Sequence, residues 1–268
     1  MLPTVSDEAI TNRNPDEATC SYCGCVLHPA VYFCPRCSKP YRAVEGMLPA
    51  RLPAYEDNET KLRVNAKPAW TLFFTYLCVI GIGSFVAMSI WGMDNRTPAM
   101  ILLSFALLLT TLVFLGLHWR DVKPCLARTG LSKRAAWIGF ALLAPLLAVN
   151  YEYHHLLGGL FPDVRESPAD YFTSRWGAVV FICVLPAVVE EIGFRGIIQH
   201  QFEKAVAPWL AIGVASVAFS AAHFSILSAP YLALVGVILG WMKWRTGSLY
   251  PSMLVHFLHN YIVISYFG

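Results

Sequence analysis

The chain has 268 residues, 56% of them hydrophobic and only 14% charged, with a formal net charge of +3 and a mean hydropathy of +0.52. Soluble domains carry about 25% charged residues. The deficit excludes intrinsic disorder, a collagen-like chain and an ordinary soluble enzyme, and points to a polytopic membrane protein; the small net charge gives no reason to expect a nucleic-acid partner.

Residues 1–67 differ from the rest: they are polar, rich in proline and charge, and hold five of the eight cysteines. The first 19 residues have neither a basic start nor an apolar core, so no signal peptide is expected and the N-terminus is expected in the cytoplasm. Within 18–42, Cys20-x-x-Cys23 is followed after ten residues by Cys34-x-x-Cys37. Two such knuckles supply four thiolates at the spacing of a closed tetrahedral zinc site. A reducing cytoplasm favours metal over disulfides. The segment is too small to bury a core, so structural zinc would supply most of its folding energy. It resembles a short zinc ribbon; Cys25 and His28 are spare donors, and two redox-active CxxC pairs are the other reading. Residues 43–67 read as a linker.

From 68 to 268 the chain reads as an all-α membrane bundle, with about seven transmembrane helices at 69–91, 98–118, 135–157, 176–200, 208–225, 229–245 and 248–267. The inner ends would carry Arg51, Lys61, Arg63 and Lys67, then Arg120, Lys123, Arg128, Lys133 and Arg134, then Arg195, Lys204, Lys243 and Arg245. The opposite ends hold only Arg96, Arg165 and Arg175, offset by Asp94, Asp163, Glu166 and Asp170. This positive-inside pattern predicts an integral multi-pass protein of the cell membrane with a cytoplasmic N-terminus. Gly236 and Gly240 make a small-xxx-small pair suited to close helix packing. His154 and His155, at a helix end, read as interfacial.

A charge inside a bilayer is expensive and faces a partner or a cavity. The fourth helix carries Glu190, Glu191 and Arg195, the fifth His223, and the seventh His256, His259 and Asn260. Glu191 and Arg195 are one turn apart and can pair, which gives them a bracing role; Glu190 points about 100° away and is left for chemistry. His256 and Asn260 share a face, whereas His259 reads as an interfacial or packing residue. Glu190 lies 17 residues before Ala207 and His223 lies 16 after it, so a hairpin sets both at similar depth. Phe219, one turn before His223, would pack on it. A carboxylate in an apolar cavity can serve as general base. A histidine can hold its water, and a facing His and Asn can donate to an oxyanion. The Gly-x-Ser-x-Gly and His-Glu-x-x-His patterns are absent from the sequence, which leaves no obvious serine nucleophile and excludes an ordinary zincin.

Glu-Glu-x-x-x-Arg at Glu190, Glu191 and Arg195, Phe-x-x-x-His at Phe219 and His223, and His-x-x-x-Asn at His256 and Asn260 together resemble the CPBP family of intramembrane proteases, which includes CAAX prenyl endopeptidases and Abi proteins. The resemblance covers about 175–265. It implies an endopeptidase in which Glu190 and His223 activate water and His256 and Asn260 stabilise the oxyanion. The implied substrate is a membrane protein or peptide, lipidated or not. An alternative makes Glu190, His223 and His256 ligands of a catalytic metal; the expectation here is glutamate catalysis without one. Two further readings are a non-catalytic peptide-binding or immunity protein of the same fold and a proton-coupled transporter. The lack of matching polar groups in two halves of the chain counts against the last.

Overall fold

The computed structural model describes residues 18–19, 26–27, 54–92, 96–126, 133–160 and 172–266. Cys20, Cys23, Cys34 and Cys37, and with them the expected zinc site, lie outside the described residues. Near them, strand β1 (Ala18–Thr19) pairs antiparallel with β2 (Val26–Leu27), Ala18 opposite Leu27.

The remaining described elements are helical. Helix α1 (Ala54–Trp91) begins inside the stretch expected as a linker and continues through Pro68. Polarity there marks where a helix leaves the apolar layer, not where it ends. Then come α2 (Arg96–Leu117), the short α3 (Trp119–Leu126) and α4 (Lys133–Leu160). Helix α5 (Arg175–Glu203) follows, then α6 (Pro208–Ala221), α7 (Ala229–Thr246) and α8 (Tyr250–Tyr266).

Helices stand at all seven expected places, and four of them qualify as spans by length and composition. Among the described residues, four segments are long and apolar enough to cross a membrane: Ala66–Trp91, Arg96–Leu117, Lys133–Leu160 and Arg175–Glu203. The 14 residues of α6 reach only about 21 Å at 1.5 Å per residue, short of a hydrocarbon layer about 30 Å thick. Helix α7 ends in Lys243 and Arg245, and α8 has 17 residues. Large apolar side chains such as Ile82, Phe85, Leu109 and Trp176 are exposed on the outer helices, while Glu191, Arg195, Gln199, His256 and His259 are buried. Apolar outside and polar inside is the arrangement a bilayer demands of a multi-pass protein.

Helix α3 was not anticipated. It buries Val122 and Cys125 and exposes Arg120 and Lys123, which makes it amphipathic over two turns. Its Cys125 carbonyl accepts the Leu249 N–H at 2.9 Å, joining α3 to the start of α8. Helix α6 opens with Pro208 at its first position, where a missing N–H costs nothing. Helix α7 stops at Gly247, whose φ of 69° is the left-handed cap that glycine adopts without strain.

Helices α6 and α7 form the most extensive pair. A Cβ on Gly236 would sit 2.8 Å from Ser216 Cβ, so the small-xxx-small pair does set close contact. The same closeness leaves the Gly236 and Gly240 carbonyls open to α5. Gly236 O accepts from Arg195 Nη2 at 3.3 Å and Gly240 O from Gln199 Nε2 at 3.0 Å.

One end of the bundle is tied by a second polar lattice. Lys243 Nζ donates to Glu203 Oε2 at 2.6 Å, and Gln199 Nε2 to Glu203 Oε1 at 2.8 Å. Beside it, Lys204 Nζ pairs with Asp121 Oδ1 at 2.8 Å and Gln201 Nε2 donates to Asp121 Oδ2 at 2.9 Å. Burial alone would raise the Asp121 carboxyl; the hydrogen bond and charge of Lys204 outweigh it and hold Asp121 below its ordinary value.

Candidate active site

Helix α5 is not a regular α-helix. Its hydrogen bonding widens to π-helical over Val179–Val184 and again over Glu191–Gln199. Such insertions recur at functional sites. Pro186 lies between them. Having no N–H, it cannot close the α-helical bond onto the Ile182 carbonyl four residues back. That carbonyl instead accepts the side-chain N–H of Asn260 from α8, Nδ2 to O 3.0 Å. A proline in one helix thereby creates the acceptor that fixes a site residue in another. Gly193 and Gly196, in the second π stretch, admit Tyr76 of α1 and Leu249 and Val122 against the helix backbone.

Glu191 and Arg195 form the expected pair, Oε1 to Nη1 3.0 Å, and both are fully buried. The guanidinium also stacks over Phe219, 4.3 Å from the ring centroid. Glu191 does more than brace its own helix. The same Oε1 accepts from His256 Nδ1 at 3.1 Å, so it links α5 to α8. Glu190 is the contrasting neighbour. Its Oε2 is buried and has no hydrogen-bond partner among the described residues, and His256 Nε2 stands 3.9 Å away.

The expectation that His223 sits on a helix is not met. Helix α6 ends at Ala221, and His223 lies in the turn that follows. The turn is set by Phe224, whose φ of 50° cannot continue a right-handed helix. His223 Nδ1 donates to the Phe219 carbonyl at 2.8 Å, and its ring lies 4.8 Å from that of Phe219. Because a carbonyl only accepts, Nδ1 carries the hydrogen, and Nε2 of the neutral ring is left as an acceptor.

On α8, His256 and Asn260 are one turn apart as expected. His259 does not behave as an interfacial residue: it is buried, and its Nδ1 donates to Asn260 Oδ1 at 2.9 Å. Reasoning by helix face discounted it, because neighbours in sequence point about 100° apart. Their side chains nevertheless meet. The signal available was Tyr231, whose buried hydroxyl needs a polar partner.

Glu190, His223, His256 and Asn260, drawn from α5, the turn after α6, and α8, line one cavity of about 330 Å³. Phe219 and His259 also line it, and the remaining wall is apolar, with Ile182, Pro186, Leu232 and Val263 among its members. Glu191 and Arg195 are not on the wall; they stand behind it. Among the described residues, no three His, Cys, Asp or Glu side chains are grouped closely enough to hold a metal ion. The arrangement offers an unpaired carboxylate, an imidazole acceptor and amide and imidazole donors around a space large enough for water and part of a substrate.

Residues 172–262 match a family model described as Rce1-like, type II CAAX prenyl endopeptidase Rce1-like. The matched stretch includes each of the cavity's polar residues and excludes α1 to α4. No curated protein and no solved structure matches the chain. The match supports the CPBP resemblance over that stretch and a protease reading of the chain. With four helices able to cross a bilayer, it describes a multi-pass membrane protein.

Proposed function

We propose that the chain is an intramembrane endopeptidase that hydrolyses a peptide bond with water activated by Glu190. The observation that carries this reading is one Glu190 carboxylate oxygen, Oε2, buried without a hydrogen-bond partner among the described residues at the wall of a cavity that also holds His223, His256 and Asn260. A buried carboxylate oxygen without a hydrogen bond is costly and calls for a function. Water held by Glu190 and the acceptor Nε2 of His223 gives one proton to Glu190, and the hydroxide adds to the scissile carbonyl carbon. The carbonyl oxygen becomes an oxyanion, received by an Asn260 amide N–H and by His256 when its Nε2 is protonated. Collapse breaks the C–N bond, and Glu190 returns the proton to the leaving amine. Glu191 keeps the Nδ1 hydrogen of His256 directed away from the cavity.

The substrate in this reading is a membrane protein or peptide with an apolar segment beside the scissile bond, as the apolar wall suggests; the family named by the match acts on prenylated CAAX proteins. The chain sits in the cell membrane with residues 1–67 in the cytoplasm. Its Cys20, Cys23, Cys34 and Cys37 hold one structural zinc, supported by the CxxC spacing and by the paired strands that flank Cys20 and Cys23.

The test uses the full-length chain in proteoliposomes. Three quenched fluorescent probes are offered: a farnesylated peptide ending in a CAAX sequence, its unfarnesylated twin, and labelled casein. Cleavage of at least one, lost in Glu190→Gln and His223→Ala and retained after chelation of metal, is expected. Cleavage by both variants at the wild-type rate would reject the assignment.

A further inference from the structure

We infer that Tyr231 and His259 are positioning residues that hold the Asn260 amide with an N–H turned into the cavity. This rests on the endopeptidase reading. Asn260 Oδ1 accepts from His259 Nδ1 at 2.9 Å, and Asn260 Nδ2 donates one hydrogen to Ile182 O at 3.0 Å. The second Nδ2 hydrogen is the one donor of that amide left for a substrate. An amide held at one end can flip and present its oxygen instead. An oxygen there would repel an oxyanion, where a donor stabilises it.

The flip is opposed at both ends: Ile182 O can only accept and keeps Nδ2 on its side, and the tautomer of His259 keeps Oδ1 on the other. With Nδ1 donating, Nε2 of the neutral ring must accept; the Tyr231 hydroxyl donates on that side, its other acceptor, the Leu146 carbonyl, standing a full 3.5 Å away. Asn150 of α4 hydrogen-bonds the same hydroxyl. Asn150, Tyr231 and His259 are each less than a tenth exposed. The relay accounts for a buried asparagine and a buried tyrosine hydroxyl in helices that otherwise present apolar residues to this side.

The experiment uses the full-length chain in proteoliposomes and the probe that the wild type cleaves. Loss of one oxyanion donor costs about 10²–10³-fold in kcat, so Asn260→Ala should lose about 100-fold and His259→Leu about tenfold or more. KM should stay unchanged in both. His259→Asn keeps a donor near the Nδ1 position and should recover most of the loss. The double variant His259→Leu/Asn260→Ala should be no slower than Asn260→Ala, because His259 acts through Asn260. Tyr231→Phe removes a single oxygen; it should lower kcat a few-fold and shift the His259 ring ¹⁵N resonances away from the Nδ1–H form. Losses that multiply in the double variant, or an unchanged kcat in His259→Leu, overturn the relay alone. A wild-type chain that cleaves none of the probes overturns the endopeptidase reading and, with it, the purpose of the relay, whatever the ¹⁵N spectrum shows.

Discussion

The two polar regions of this bundle use similar residues to opposite ends. In the lattice at the end of α5, each charge has its counter-charge within bonding distance, Glu203 with Lys243 and Asp121 with Lys204, and Gln199 and Gln201 each donate to one of the carboxylates. In the cavity, Glu190 is left without a hydrogen-bond partner and His223 with a free acceptor nitrogen. Paired charges fix geometry; the open atoms that line the cavity are held ready for a molecule that is not part of the chain. Glu190 and Glu191, adjacent in sequence, show the difference in one step. Glu191 is bonded to Arg195 and His256, while Glu190 faces the cavity.

Exchanging the charge in each region should separate activity from stability. Glu190→Gln should lower cleavage by about 10²–10⁴-fold, the usual contribution of general-base catalysis. Its thermal midpoint in detergent should stay at or above that of the wild type, because an unpaired buried charge has been removed. A fall in midpoint equal to that of a lattice variant would show that Glu190 is structural. Lys243→Met should do the reverse. It leaves Glu203 buried without its cation, which costs about 3–5 kcal/mol, read as a large drop in midpoint. Any protein that still folds should cleave with a near-normal KM.

Much of this contrast was legible in the sequence. Spacing alone paired Glu191 with Arg195 and set Glu190 apart, since both statements follow from the helical period. The order of the three motifs gathered the cavity residues, because a charge in an apolar segment has few places to go. What was not legible depends on contacts between helices. That Glu191 reaches His256, that Pro186 frees Ile182 O for Asn260, and that His259 turns toward Asn260 are tertiary facts with no periodic signature. The helix ends were also hidden. Nothing in the run Ser-Ala-Ala-His-Phe-Ser announces the left-handed Phe224 that puts His223 in a turn, and the polar residues from Ala54 to Lys67 look like a linker although the backbone there is helical. Length says less: an apolar run shows that a helix is buried in something, and α6, α7 and α8 fall short of a span by length or composition taken alone.

A milder disturbance tests whether close packing, and not charge alone, holds the lattice side of the comparison. Gly236→Ala places a Cβ 2.9 Å from the Ser216 backbone, which cannot yield as a side-chain tip could. Overpacking of this kind costs about 1–3 kcal/mol. Because Gly236 also presents its carbonyl to Arg195, a modest loss of activity should accompany the lower midpoint.

The smallest effect expected concerns acid. Asp121 has its carboxyl held below the ordinary value by Lys204 against the opposing cost of burial. A depressed carboxylate binds its proton less readily in the folded chain than in the unfolded one. Its contribution to stability is therefore complete above the unfolded value, about pH 4, and is lost as the pH falls through the lower, folded value. Asp121 is about a quarter exposed, which screens the pair and keeps the effect small. In Asp121→Asn the midpoint measured at pH 7 should fall slightly, and the further decline on acidification below about pH 4 should be shallower than in the wild type. Parallel acid curves for the two proteins would mean that Lys204 gains nothing from Asp121. The saturated lattice would then owe its strength to Lys243 and Glu203, which lie deeper in the bundle.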